Sequence, residues 1–222
     1  MSRYDTPTMC NALENILGTR TAVGFTKQGV VSVEKRKKVI AGFAKTAKIR
    51  AASPPLISQR QVDDNRAMYY DYIVENQKHP LVVIEDTDYP NSVGAFWGEL
   101  NVAIHKGLGI KGTLTNGLVR DLDSLDEGYQ VVAGGIGPSH AFVHVTELNV
   151  DVSVFGLEIS PGDFVHADQH GAMTIPNQHL QAIPEALKFV TEKERPILEA
   201  ARKANFSIER LKQAMEKSKK VI

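Results

Sequence analysis

The chain has 222 residues, 42% of them apolar and 23% charged, a globular composition that excludes a disordered or collagen-like chain. Its 26 Lys and Arg balance 26 Asp and Glu, so no global field draws it to nucleic acid or an anionic membrane, and its neutrality does not oppose self-association. The single cysteine, Cys10, excludes an intrachain disulfide and a cysteine-based zinc site.

Met1–Asp5 carries no apolar signal segment. No run approaches the about 18 apolar residues of a membrane span, and the expectation is a cytoplasmic protein. Thr6-Pro7-Thr8 opens a helix in which Met9, Leu13 and Leu17 share a face and Gly18 is the stop. The basic run Lys35–Lys38 has no interleaved aromatic and reads as solvated surface rather than an RNA patch. Residues 41–49 read as a strand with Phe43, Ala47 and Ile49 on one face. Ser53-Pro54-Pro55 breaks it, and a helix follows from Val62 to Glu75. Pro80–Asp86 is apolar enough for a central strand covered on both sides. A further helix is predicted from Gly94 towards Lys106, closed by Gly107 and Gly109, and then a strand over 110–115.

Asn116-Gly117 is a turn signal, followed at once by Arg120-Asp121. The second half has short strands at 131–133, within 145–159, and at 164–167 and 172–176, separated by Gly-rich turns. Residues 184–220 read as two helices broken near Asn205-Phe206-Ser207, with Ser207 as a cap. The pattern is an α/β protein with a mixed, curled sheet, organised as one core over residues 1–183 and a helical arm over 184–222.

Polar residues at element ends carry the chemistry. Glu99 stands in the first turn of a helix, where backbone N–H groups face an anion. Arg120 can clamp a carboxylate, and the adjacent Asp121 can hold a hard cation such as Mg²⁺. Together these suit a small carboxylate-bearing metabolite. Read blandly, the Arg-Asp pair is a surface ion pair or a loop staple. His140, His144, His166 and His170 match no zinc spacing and read as surface or hydrogen-bonded histidines, although the segment Gly134–His140 borders the same pocket.

Gly98-Glu99-Leu100-Asn101, Gly109-Ile110-Lys111-Gly112 and Asn116-Gly117-Leu118-Val119-Arg120-Asp121 occur in one order, followed by Pro161-Gly162-Asp163 and Asp168-x-x-Gly171-x-x-x-x-Pro176. This array resembles the RraA-like family, which includes the regulator of ribonuclease E activity and the class II 4-hydroxy-4-methyl-2-oxoglutarate aldolases. The resemblance spans roughly residues 6–205. It implies a layered α/β/β sandwich like the swivelling phosphohistidine domain, assembled as a trimer or hexamer with sites between subunits. It implies that Gly98, Glu99, Leu100 and Asn101 bind substrate through backbone N–H groups, that Arg120 contacts the 2-oxo acid, and that Asp121 holds Mg²⁺ or Mn²⁺. A glutamate from a neighbouring subunit's C-terminal arm completes such sites; Glu192, Glu194 and Glu199 are candidates and Glu194 is favoured.

The activity so implied is a lyase that cleaves a 4-hydroxy-2-oxo acid to pyruvate, with oxaloacetate decarboxylation through the same enolate. The alternative is a regulatory protein-binding module. Two positions depart from the family pattern. Ser124 stands where a second carboxylate is expected, with Asp123 and Asp126 nearby, and Asn116 stands where Asp is frequent.

Overall fold

Burial alternates along most of the long strand at 40–50, and the strands at 80–86 and 130–133 are almost entirely buried, so a sheet with two covered faces organises the chain. The structure, a computed structural model, describes residues 3–34, 39–75 and 78–221. The basic run Lys35–Lys38 lies outside them. The elements in chain order are α1 (Thr6–Leu17), β1 (Val31–Ser32), β2 (Ile40–Arg50), α2 (Gln59–Val74), β3 (Pro80–Asp86), β4 (Ala95–Trp97), α3 (Glu99–Gly107), β5 (Gly112–Thr115), β6 (Leu118–Val119), β7 (Gln130–Ala133), β8 (Gly135–Ile136), β9 (His144–Leu148), β10 (Val152–Val154), β11 (Leu157–Ile159), β12 (Phe164–Asp168), β13 (Gly171–Ile175), α4 (Ile183–Ala201) and α5 (Ile208–Lys219). Among the described residues, no helix is long and apolar enough to cross a membrane.

The chain divides into two compact units, Met1–Thr6 with Ala22–Asn177, and Pro7–Thr21 with Gln178–Ile222. In the first, the main sheet runs β1-β7-β5-β3-β2-β12-β13, and β9 pairs with the second half of β2. The β2, β3, β5 and β7 pairings are parallel and the others antiparallel. Alternate residues supply two cores. Val82, Ile84, Val131 and Ala133 meet Tyr69, Ile73 and Val102 of α2 and α3 on one face. Leu81, Val83, Leu114 and Val132 meet the β10–β11 hairpin on the other. The result is the α/β/β layering. The hairpin turns through Phe155 and Gly156, both at positive φ (55° and 73°), as a tight two-residue loop requires.

After β3, β5 and β7 the chain leaves the main sheet and contributes β4, β6 and β8 to a small parallel sheet of order β4-β6-β8. This corrects the helix expected from Gly94. Ala95, Phe96 and Trp97 are all buried, and large aromatic residues covered on both sides suit a strand. The helix begins only at Glu99, with Gly98 as its N-cap. The predicted start of α2 also moves, to Gln59, because Ser58 and Gln61 form a reciprocal capping box. The alternating stretch 145–159 is three strands in two sheets, divided at Asn149, whose φ is 56°.

Thr6 opens α1, but its hydroxyl meets His166 Nδ1 at 3.1 Å, and its N–H donates to Asp168 Oδ2 at 2.8 Å. In the second unit the break expected near Ser207 separates α4 from α5, and the Ser207 hydroxyl accepts from Arg210 N.

Candidate functional site at the end of the small sheet

Parallel pairing of β4 with β6 sets Trp97 beside Val119, and Arg120 N–H donates to Trp97 O at 2.9 Å. The residues that follow each strand, Gly98 and Arg120, are therefore neighbours. Asp121 takes a left-handed φ of 57°, which Asp tolerates better than most residues. This turn sends its carboxylate back to α3, where Oδ2 accepts from Glu99 N–H at 3.2 Å and lies 3.5 Å from Arg120 Nε. Asp121 thus supplies the helix N-terminal cap that Gly98 cannot, and the helix dipole favours a negative charge there. A Cβ on Gly98 would sit 2.6 Å from Asp121 Oδ2 and 3.0 Å from Arg120 Cγ. Glycine is required there by space, since its φ of −161° is ordinary extended backbone.

A pocket of about 260 Å³ opens beside this junction, lined by Arg66, Phe96, Gly98, Leu100, Arg120 and His140 among others. Five of the residues singled out in the sequence, Gly98, Leu100, Asn101, Arg120 and (through its backbone) Glu99, together with Asp121, converge here. In the first turn of α3, the Leu100 and Asn101 N–H groups have no intrahelical acceptor. Leu100 is 69% exposed, so the turn faces solvent. The Asn101 side chain is buried and structural: its amide donates to Phe96 O and its Oδ1 accepts from the Tyr70 hydroxyl at 3.1 Å.

Behind this turn lies an aromatic floor. His105 Nδ1 is 2.6 Å from Asn101 O and its Nε2 is 2.6 Å from the Tyr69 hydroxyl. A carbonyl only accepts, so Nδ1 carries the proton and Nε2 accepts from Tyr69. Burial is the main reason that the imidazole pKa falls to about 4, and the charge of Arg66 adds to it. His105 is accordingly neutral and holds α3 to α2.

Glu194 belongs to α4 in the second unit, where it is exposed and its Oε1 accepts from Asn11 Nδ2 at 3.4 Å. Ser124 is exposed and its N–H donates to Asp121 O at 2.9 Å. Asp126 is committed to Lys106 Nζ at 3.0 Å. Asn116 bridges strand ends: its Oδ1 accepts from Asp86 N at 2.7 Å and its Nδ2 donates to Asp86 O at 3.2 Å. Aspartate could not make the second bond, which accounts for Asn here. His140 and His144 bond nearby backbone carbonyls, and His170 pairs with Asp168.

Arg66 and Phe96 were not singled out from the sequence. The available signal is that Arg66, Tyr69, Tyr70 and Ile73 fall at helical spacing on one face of α2, so a charge sits on an otherwise inward stripe. A larger hollow of about 690 Å³ near Phe43, Lys45, Tyr72 and Lys78 is lined by no carboxylate among the described residues, and Lys45 lies over the Tyr72 ring.

Asp121 keeps Oδ1 outside its bonds to Glu99 and Arg120 and is about one-third exposed. Among the described residues, no group of three or more His, Cys, Asp or Glu could hold a metal. A single free carboxylate oxygen is a donor that suits a cation which keeps most of its waters, as Mg²⁺ commonly does.

The family profile described as RraA-like, Aldolase/RraA, matches residues 6–174. Over 115 residues, half of this chain, it is 32% identical to Protein DlpA of Legionella pneumophila, of which that segment is 18%. Over 124 residues, 55% of this chain, it is 31% identical to uncharacterized protein MJ0644 of Methanocaldococcus jannaschii, covering 60% of that protein. The chain thus spans less than two thirds of the length of either curated relative. The fold is similar to that of Streptomyces coelicolor RraAS2, described as an unusual member of the RNase ES inhibitor RraA protein family, with a TM-score of 0.65 at 22% identity over 91% of this chain and 94% of that one. The profile covers most of the chain, and the fold agrees with it: the chain belongs to the RraA-like family.

Proposed function

We propose that the protein is a divalent-metal-dependent lyase, acting in the cytoplasm, that cleaves a 4-hydroxy-2-oxo acid to pyruvate and decarboxylates oxaloacetate through the same enolate. The observation that carries this reading is the convergence of Arg120, Asp121 and the open first turn of α3 on one small pocket. Arg120 binds the 2-oxo acid where negative charge develops, and the Leu100 and Asn101 N–H groups take its carboxylate. Removing one such preorganised donor lowers kcat by about 10²–10³-fold in enzymes of known mechanism. Asp121 holds the cation, which when bound supplies Lewis-acid stabilisation of the enolate. A water oriented by the site's carboxylates, Glu99 among them, takes the C4 hydroxyl proton. In this reading the protein is a trimer or hexamer, and Glu194 of α4 enters a neighbouring subunit's site.

A second reading, a regulatory protein-binding module, is favoured by Ser124 in place of a carboxylate and by the inhibitor class to which the Streptomyces relative is assigned. The test is pyruvate release from 4-hydroxy-4-methyl-2-oxoglutarate and oxaloacetate, with Mg²⁺, with EDTA, and in Arg120→Ala and Asp121→Ala. Metal-dependent turnover lost in both variants supports the lyase. No turnover of either acid by folded, oligomeric protein refutes it and leaves the binding module.

A further inference from the structure

The two arginines of the pocket are not equivalent. Arg120 already has an anionic neighbour, the Asp121 carboxylate. Arg66 also lines the pocket and is half-buried, yet it has no carboxylate partner among the described residues. Phe96 and Tyr70, both uncharged, flank it. The guanidinium lies 5.2 Å from the centre of the Phe96 ring, in a cation–π arrangement. Beside it is Tyr70, whose phenol burial pushes up in pKa while the charge and hydrogen bond of Arg66 pull the other way.

Position and orientation of Arg66 are set by a chain of contacts. Tyr70 donates to Asn101 Oδ1, and the Asn101 amide donates to Phe96 O, so the phenol and ring that flank Arg66 are tied to the first turn of α3. A partly desolvated cation held this way, without a counter-charge, is stabilised by an anion that enters the pocket. A planar guanidinium on an aromatic face presents its N–H fork to a carboxylate in bidentate fashion. The pocket volume of about 260 Å³ suits a small ligand, below the about 300–1,000 Å³ of drug-sized sites.

We infer that Arg66 is a specificity-determining residue that receives a second anionic group of the ligand, so that the site selects short dianionic 2-oxo acids over monoanionic ones. This rests on the reading of the site as a 2-oxo acid site. Arg120 and the α3 N-terminus take the oxo-acid end, and Arg66 takes the terminal carboxylate. A methyl group in place of that carboxylate leaves the guanidinium unpaired against Phe96, and this is the source of the discrimination.

A matched pair of probes tests it. 2-Oxoglutarate and 2-oxovalerate have the same chain length and differ only in a terminal carboxylate or methyl group. Their binding is measured in Mg²⁺ by calorimetry and by the fluorescence of Trp97, the single tryptophan, whose ring lies 5.5 Å from Phe96. The wild type is expected to bind 2-oxoglutarate at least tenfold more tightly. In Arg66→Met, which keeps an apolar contact to Phe96, that preference falls to within twofold while 2-oxovalerate binds as before. Arg66→Lys keeps an intermediate preference. Three results overturn the inference: a preference that survives in Arg66→Met, equal weakening of both acids in that variant, or no preference in the wild type. In all three the 2-oxo acid reading stands, because 2-oxovalerate still binds the wild type. If neither acid binds the wild type, both fall together.

Discussion

His105 gives the structure a measurable acid sensitivity. Its pKa is about 4 in the fold, against about 6.5 in an unfolded chain. The unfolded state therefore binds the extra proton between these values, and stability is full above pH 6.5 and lost as pH falls towards 4. From the two pKa values the loss is about 1.2 kcal/mol at pH 5.5 and about 2.4 kcal/mol at pH 4.5 relative to pH 7.0. That is a large part of the about 5–15 kcal/mol of an ordinary domain. Asp86 acts in the opposite sense: burial raises its pKa, so protonation of its carboxyl favours the fold. The His105 contribution is isolated by comparison with His105→Gln, whose amide can donate to Asn101 O and accept from Tyr69 without titrating in this range. Urea unfolding at fixed protein concentration, at pH 7.0, 5.5 and 4.5, gives both curves. The wild type should fall more steeply than the variant by about the amounts above. Parallel curves would refute the neutral, donor-to-Asn101 assignment.

Two other substitutions probe the frame of the site. Gly98→Ala places a methyl 2.6 Å from Asp121 Oδ2; it should lower kcat/KM for the proposed substrates at least tenfold while changing stability by only about 1 kcal/mol, and wild-type kinetics would show that the Asp121 position is unimportant. Asn116→Asp removes the bond to Asp86 O and sets a carboxylate beside buried Asp86; urea unfolding at neutral pH should show a loss of about 2–4 kcal/mol, and an unchanged midpoint would mean that the bridge contributes nothing.

The parts of the fold legible in the sequence were those with one dominant local signal. Pro80–Asp86 is mostly apolar, with Leu81–Ile84 uninterrupted, and forms the central strand β3. Ser207 caps α5 where the helical tail breaks. Ala95–Trp97 was misread because a strand of three residues has no period to detect, and Gly98 followed by a helix-favouring run drew the helix boundary backwards. The strand exists through pairing with Leu118 and Val119, which lie far along the chain. For the same reason the motif residues Gly98, Arg120 and Asp121 could be named from sequence while their adjacency could not be derived: it follows from the β4–β6 register. Arg66 was invisible for a different cause. In sequence it is one charge in a polar helix, and only the packing of α2 against Phe96 and Asn101 sets it beside the pocket.

The contacts of Asp121 also predict how ligands influence one another at the site. Its carboxylate sits on the Glu99 N–H and beside Arg120 Nε, next to the Leu100 and Asn101 N–H groups and against the arginine that an incoming carboxylate would use. An anion therefore competes with Asp121, whereas a divalent cation draws its charge away from both. Cation and anion should bind with positive coupling, and linkage makes the effect reciprocal. Couplings of this kind amount to about 5–150-fold in affinity. Calorimetric titration with pyruvate should thus show binding at least fivefold tighter in Mg²⁺ than in EDTA, and Mg²⁺ binding tightened by the same factor when pyruvate is present. In Asp121→Asn the amide oxygen can still accept from Glu99 N–H, but the negative charge is gone. Pyruvate should bind this variant in EDTA more tightly than it binds the wild type, and Mg²⁺ should add nothing. Equal affinities of wild type and variant in EDTA would show that Asp121 does not screen the anion site, and a response to Mg²⁺ that survives in the variant would show that it does not hold the cation.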